Sequence, residues 1–128
     1  MVEPGPLTRT ILDYTQTIEQ LVPRVKARTD WSRLAEFVTE DEFERVGTFL
    51  EVQDWRQYTE MLTRWASATE RFETTLRRVS ELSGRVYFEV EERHFRGASA
   101  HVVRSMTVFE FNQDGKIRRL DVYLQQQS

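Results

Sequence analysis

Two kinds of side chain in the last third of the sequence could move protons. Glu92 and His94 are two positions apart, and His101 follows as the second of two histidines. On a strand, residues two apart share one face, and a carboxylate beside an imidazole can exchange protons with a bound molecule. The chain has no Cys, and two histidines are too few for a metal site. We therefore expect acid–base chemistry without a metal or another cofactor.

The composition describes one globular domain over residues 1–128. Hydrophobic residues make up 39% of the chain, charged residues 30%, and the net charge is −3. Without a basic stripe, we expect no nucleic-acid partner. No apolar run is long enough to cross a membrane, and the first residues lack the pattern of a secretory signal. We therefore expect a cytoplasmic protein without a membrane partner.

Two helices are predicted before position 40. Apolar residues recur every three or four positions over residues 7–25, which predicts a helix that Pro23 interrupts. Thr29 or Asp30 can cap a short second helix. Its buried side would comprise Trp31, Leu34, Ala35 and Val38.

A third helix is predicted after a weak strand or hairpin segment at residues 43–49. Asp54 and Gln57 have the spacing of a capping box, which marks the start of a helix. The apolar stripe that follows comprises Trp55, Tyr58, Leu62, Trp65 and Thr69. The helical period continues to Val79, so periodicity alone does not show where this helix ends.

The period changes to two from Val86 onward. Three strands are predicted, at residues 86–94, 102–111 and 117–124, joined by turns at 96–99 and 112–115. Helices followed by an antiparallel meander indicate an α+β fold in which one sheet face packs on the helices and leaves a cavity between them. No membrane-type or repeat architecture fits this order.

The first turn sets which residues face that cavity. A hairpin symmetric about Gly97-Ala98 pairs Glu92 with Val103 and His94 with His101. The inner face would then carry Val86, Phe88, Val90, Glu92, His94, His101, Val103, Ser105, Thr107 and Phe109. A register slip of one residue would reverse this assignment for one strand.

Three stretches of the sequence resemble a known family. They are residues 65–72, the run from Phe72 to Val79 that leads into Gly84-Arg85-Val86, and Asp114-Gly115-Lys116-Ile117 followed by Tyr123. They resemble the SnoaL-like branch of the NTF2-like superfamily, which includes ketosteroid isomerases, polyketide cyclases and limonene-epoxide-hydrolase-type enzymes. The resemblance implies a cone, in which a curved antiparallel sheet wraps round the N-terminal helices and encloses an apolar pocket. It also implies a strand at residues 72–81 and a homodimer across the outer sheet face.

The epoxide-hydrolase branch matches at one residue of its catalytic set. By resemblance, Glu92 falls at one position of an Asp-Arg-Asp set, and the other two positions carry Val90 and Val122. A guanidinium and a second carboxylate are therefore absent, which argues against epoxide hydrolysis.

The ketosteroid-isomerase branch suggests different partners. The position nearest its proton-shuttling Asp carries Arg45, or Glu44 if the gap is moved. Tyr14 lies on the first helix, where that branch has a Tyr that stabilises an oxyanion.

Two classes of function stay open at this point. In the first, Glu92 handles protons for an isomerase, cyclase or hydrolase, and Tyr14, Arg45 or His94 polarises a small apolar molecule with a carbonyl group or a ring. The wall of the binding site would comprise Phe88, Val90, Val103, Phe109, Val122, Trp31, Tyr58 and Trp65. In the second, the chain is a non-catalytic ligand-binding or dimerisation module. Glu92 would then be an ion-paired surface group beside an arginine, and the two histidines would form a cross-strand contact.

Overall fold

A computed structural model describes residues 4–126 of the chain. Its helices are α1 (Pro6–Leu21), α2 (Ser32–Ala35) and α3 (Trp55–Ser67), with one turn of 3₁₀ helix at Arg28–Trp31. Its strands are β1 (Glu44–Val46), β2 (Val52–Gln53), β3 (Arg71–Leu82), β4 (Arg85–Arg96), β5 (Ser99–Phe111) and β6 (Ile117–Gln125). Within the described residues, no helix is both long and apolar enough to cross a membrane.

The ends of α1 and α3 follow the local sequence. Helix α1 ends at Leu21, shortly before Pro23, as predicted. At the start of α3, the Gln57 backbone N–H donates to Asp54 Oδ1 at 2.8 Å and the Asp54 N–H donates to Gln57 Oε1 at 2.9 Å. This reciprocal pair confirms the predicted capping box.

The start of the second helix differs from the prediction. The Asp30 carboxylate accepts the backbone N–H groups of Lys26 and Ala27, both at 2.9 Å, and so closes a turn that precedes the helix. These two bonds hold the pKa of Asp30 below its ordinary value. Asp30 therefore shapes the 3₁₀ turn, and α2 begins after it, at Ser32.

The six strands form one open, mixed sheet in the order β2-β1-β6-β5-β4-β3. All neighbours are antiparallel except β1 and β6, which run parallel. The predicted hairpin register is confirmed, since Glu92 pairs with Val103 and His94 with His101. The strand implied by the resemblance at residues 72–81 is also confirmed and is now β3. The weak segment at 43–49 yields only the short strand β1, which lies between β2 and β6.

Helix α1 is attached to β3 at two points, which fixes it across the inner sheet face. The Glu81 carboxylate accepts the backbone N–H and the hydroxyl of Thr8 at 2.7 and 2.8 Å. Glu19 accepts the same two groups of Thr74 at the same two distances. The core lies between these helices and the sheet, and the curvature of the strands leaves part of that space unfilled.

Candidate active site

The unfilled space is a cavity of about 350 Å³ between α1, α3 and the inner sheet face. Its lining is mostly apolar, with a small group of polar side chains. Ten residues expected at the site from the sequence line it: Tyr14, Arg45, Tyr58, Trp65, Phe88, Val90, Glu92, His94, Phe109 and Val122. An apolar cavity with a few convergent polar groups is the usual form of a small-molecule site.

Trp31 and Val103, which we expected at the cavity wall, lie elsewhere. Trp31 is buried, but it belongs to the 3₁₀ turn, and its indole N–H donates to Thr63 on α3 at 3.0 Å. Val103 is also buried, but the part of β5 that lines the cavity begins at Ser105. Val103 lies between Ser105 and the hairpin tip. Both residues therefore stabilise the fold without bordering the cavity.

Glu92 is held by two hydrogen-bond partners, neither of which is a lysine or an arginine. Its Oε1 lies 3.0 Å from His94 Nε2, and its Oε2 accepts the Ser105 hydroxyl at 2.5 Å. Arg93, an expected ion-pair partner, instead contacts Glu91 at 3.1 Å and Glu73 at 3.7 Å. The side chain of Glu92 is 20% exposed. Glu92 is thus a hydrogen-bonded carboxyl at the cavity and not the ion-paired surface group of the alternative interpretation.

His94 also contacts residues of α3 and β3, besides Glu92 on its own strand. The indole N–H of Trp65 donates to His94 Nδ1 at 3.0 Å, and the ring of Phe72 lies 5.0 Å from the imidazole between centroids. His101 faces His94 at 6.0 Å but is itself exposed. Residues 4–126 contain no group of three or more His, Cys, Asp or Glu that could hold a metal.

A pair of buried tyrosines faces the same cavity. The hydroxyl oxygens of Tyr14 and Tyr58 lie 3.1 Å apart. Burial raises the pKa of Tyr14 well above 10.0 and also raises the pKa of Tyr58. Both side chains therefore keep their protons at neutral pH. One of the two hydroxyl groups donates its hydrogen to the other. The hydrogen of the accepting hydroxyl remains available to an acceptor in the cavity.

Arg45 lies beside this pair. Its guanidinium carbon is 5.6 Å from the centre of the Tyr58 ring, and one of its N–H groups donates to Gln53 at 2.9 Å. Its positive charge partly opposes the rise in the pKa of both tyrosines, whereas the charge of Glu92 adds to the rise for Tyr58. The charge of Arg45 therefore acts on both tyrosines, and the charge of Glu92 acts on Tyr58.

The sequence did not reveal three of these contacts. Ser105 was placed on the inner face, but nothing marked it as a donor to Glu92. The tyrosine pair joins residues 44 positions apart, and the Trp65–His94 bond joins residues 29 apart. The one available signal was that Tyr58 and Trp65 lie on the apolar stripe of α3, which had to face the sheet.

A second concave region lies at the hairpin end of the sheet and has a volume of about 930 Å³. Its lining includes Glu91, His101, Arg104 and Gln126, which are polar and point away from the core. Apart from the half-buried Glu91, every residue that lines it is exposed. Without convergent buried groups, it offers a ligand little desolvated surface, and the inner cavity is the better candidate site.

Comparison with known proteins supports the fold. No protein-family model matches the chain, and no curated protein matches it. An NTF2-like protein from Anabaena variabilis ATCC 29413 superposes with a TM-score of 0.75 at 16% identity, covering 99% of this chain and 96% of that one. A protein of Shewanella putrefaciens CN-32 described as a SnoaL-like polyketide cyclase gives 0.76 at 9%, covering 95% and 81%.

An LEH-like epoxide hydrolase of M. tuberculosis is also similar, with a TM-score of 0.67 at 14% identity, covering 91% of this chain and 84% of that one. At these identities the likeness shows the fold. The chain therefore has the NTF2-like α+β cone, as the sequence resemblance implied.

Proposed function

We propose that the cavity binds a small apolar molecule with a carbonyl group and moves a proton on the carbon next to that carbonyl. The single observation that carries this proposal is the position of Glu92. It faces an apolar cavity, it is held by His94 and Ser105, and neither partner is a lysine or an arginine. A carboxylate without a cationic partner retains the ability to accept a proton from a ligand.

The reaction needs a second group that stabilises negative charge. As Glu92 removes the proton from carbon, the C–H electron pair moves into the carbonyl group and its oxygen becomes an enolate. The hydroxyl pair of Tyr14 and Tyr58 can donate a hydrogen bond to that oxygen. Arg45 adds positive charge nearby. Return of that proton from Glu92 to another carbon of the enolate completes isomerisation. For exchange with solvent, Glu92, whose side chain is 20% exposed, releases the removed proton to water and takes another from water, which it delivers to the carbon.

The described lining residues favour this reaction over epoxide opening. Glu92 is the single carboxylate among them, and Val90 and Val122 contribute apolar wall. Opening an epoxide by water needs one group to activate the water and another to protonate the leaving oxygen. The similarity to a protein described as a polyketide cyclase is compatible with chemistry on carbonyl compounds.

The test uses 2-tetralone, a bicyclic apolar ketone, in D₂O. NMR follows the exchange of its α-protons for deuterium in the presence of the wild-type chain, Glu92→Gln or Glu91→Gln. Glu91 is the matched control because it pairs with Arg93 at 3.1 Å and does not line the cavity. We expect Glu92→Gln to slow the catalysed exchange by about 100-fold or more and Glu91→Gln to leave it unchanged. Equal rates for wild type and Glu92→Gln would contradict the role of Glu92.

The second candidate is a binding module without catalysis. It is favoured by the size and apolar lining of the cavity, which would hold a ligand even if Glu92 only fixes its orientation. The same experiment separates the two functions. Binding of 2-tetralone, seen as shifted protein resonances, without faster exchange would support this candidate.

A second copy of the chain is the partner that we propose for the outer sheet face. Val102 and Tyr123 on that face are 48% and 61% exposed, and a second copy would cover both side chains. Light scattering during size-exclusion chromatography should give twice the mass of the chain, and Tyr123→Glu should reduce it to one chain.

A further inference from the structure

We infer that Trp65 fixes the protonation pattern of His94, so that His94 positions Glu92 and does not itself carry protons. The inference about the imidazole rests on the geometry alone. Its consequence for catalysis rests on the proposed function of Glu92. Trp65 and His94 are then positioning residues, and neither needs to contact the reacting atoms.

The argument begins with the indole. The Nε1–H of a tryptophan can only donate a hydrogen bond. It lies 3.0 Å from His94 Nδ1, so that nitrogen must supply a lone pair and carry no hydrogen. A neutral imidazole has one protonated nitrogen, and here it must be Nε2. The contact with Trp65 therefore selects one of the two tautomers of His94.

The selected tautomer is the one that suits Glu92. Nε2–H lies 3.0 Å from Glu92 Oε1 and donates to it, while the Ser105 hydroxyl donates to Oε2. Both carboxyl oxygens thus accept a hydrogen bond, which an ionised carboxylate does and a protonated acid does less well. Trp65 therefore donates to His94, His94 donates to Glu92, and Glu92 is the final acceptor of this chain of hydrogen bonds.

The surroundings of His94 keep the ring in this orientation. Trp65 meets it edge to face with centroids 5.5 Å apart, and Phe72 lies against it from β3 at 5.0 Å. The titratable groups that face the ring are Glu92 on its own strand and His101 on β5, at 6.0 Å. Helix α3 and β3 present aromatic rings to it. Rotation of the imidazole would lose the bonds to Trp65 and Glu92 together.

This arrangement excludes His94 as a proton relay. A relay must accept a proton on one nitrogen and release it from the other, so both nitrogens must be able to lose and gain hydrogen. A proton on Nδ1 would face the indole N–H, and two donors cannot bond to each other. His94 therefore acts through the orientation of Glu92, in the way that a carboxylate orients a catalytic histidine in other enzymes.

The first experiment reads the tautomer directly. Long-range ¹H–¹⁵N correlation spectra of the wild-type chain at neutral pH should show His94 with Nδ1 bare and Nε2 protonated. In Trp65→Phe at the same pH, Nδ1 has lost its hydrogen-bond donor, so its ¹⁵N resonance should shift, while Nε2 stays protonated because Glu92 still accepts from it. Trp31→Phe is the matched control, since it removes a different indole donor, the one bonded to Thr63. It should leave both His94 signals unchanged.

The second experiment measures the exchange of 2-tetralone protons by the same variants. We expect Trp65→Phe to slow it by about tenfold, because Glu92 loses its fixed orientation, and Trp31→Phe to change it by less than about twofold. A protonated Nδ1 in the wild type, or unchanged His94 signals in Trp65→Phe, would overturn the inference. So would altered signals with an unchanged exchange rate. If the wild type does not exchange 2-tetralone, the proposed function fails, and the spectra still decide the tautomer.

Discussion

Two glutamates on β4 lie three positions apart and have opposite surroundings. Glu92 faces the cavity, and its partners are His94 and Ser105. Glu89 faces outward, and its partners are the guanidinium groups of Arg77 at 3.0 Å and Arg78 at 2.8 Å. The hydrogen bond from Arg78 is the largest cause that holds the pKa of Glu89 below its ordinary value, followed by the hydrogen bond from Arg77 and the charges of both arginines.

The difference shows how one strand can place two carboxyl groups in different electrostatic surroundings. The strand alternates its side chains, so a displacement of three positions moves a carboxyl from one face to the other. On the outer face, cations keep Glu89 ionised and occupy its oxygens. On the inner face, His94 and Ser105 orient Glu92 toward an apolar cavity. Residue type alone therefore did not determine the role of either carboxyl.

The largest expected effect concerns the difference in burial between aromatic side chains on the inner and outer faces of the sheet. Phe88 on the inner face is 4% exposed and packs against Phe109, whereas Tyr123 on the outer face is 61% exposed. Phe88→Ala should lower the free energy of unfolding by about 3 kcal/mol, because it removes buried contacts and enlarges the cavity. At protein concentrations low enough for the chain to be monomeric, Tyr123→Ala should change it by less than about 0.5 kcal/mol. Urea denaturation measures both, and similar losses would show that the outer face is also packed.

A smaller effect is expected from the buried hydroxyls in alkaline solution. Tyr14 and Tyr58 hold their protons in the folded chain at pH values where unfolded tyrosine, with a pKa of 10.0, has lost its own. The folded state therefore binds more protons, and the free energy of unfolding must fall as the pH rises above 10.0. Denaturation at about pH 9 and about pH 11 should show a shallower fall for Tyr14→Phe than for the wild type. An equally steep fall in both chains would mean that the pKa of Tyr14 is the same in the folded and the unfolded state.

The smallest effect belongs to the outer carboxylate. Because the pKa of Glu89 is lowered in the folded chain, its contribution to stability is present above its unfolded pKa near 4.5 and is lost as the pH falls through the folded value. Glu89→Gln should therefore be slightly less stable than the wild type at neutral pH, and the difference should disappear in strong acid. Added salt should reduce it as well, since the side chains of Arg77 and Arg78 reach solvent. A difference that persists in acid would point to packing of the side chain rather than to its charge.

Local chemistry explains which parts of the fold the sequence predicted. The hairpin register follows from one short turn and from alternation, and it placed Glu92, His94 and Phe88 on the inner face as observed. The capping box of α3 depends on two residues three positions apart. The end of α3 could not be read in this way, because the apolar residues of β3 continue the helical period, and the family resemblance was needed to identify the strand.

The remaining features depend on how distant segments meet. The parallel contact of β1 with β6 joins residues about 75 positions apart, and β1 is only three residues long. No local pattern encodes such a pairing. Trp31 and Trp65 are the same residue type, but Trp31 donates to Thr63 on α3 and does not line the cavity, whereas Trp65 does. Similarly, the partners of His94 and Tyr14 became visible only when α3 was placed over the sheet.

The chain has three tryptophans, and they differ in what they can report. Trp65 borders the cavity and donates to His94, whereas Trp31 and Trp55 border a shallow groove on another side of the molecule. A molecule that enters the cavity changes the polarity around one indole and leaves the other two as an internal reference. The fluorescence of the unlabelled protein thus provides an optical signal of occupancy, with Trp65→Phe as the variant in which that signal is lost.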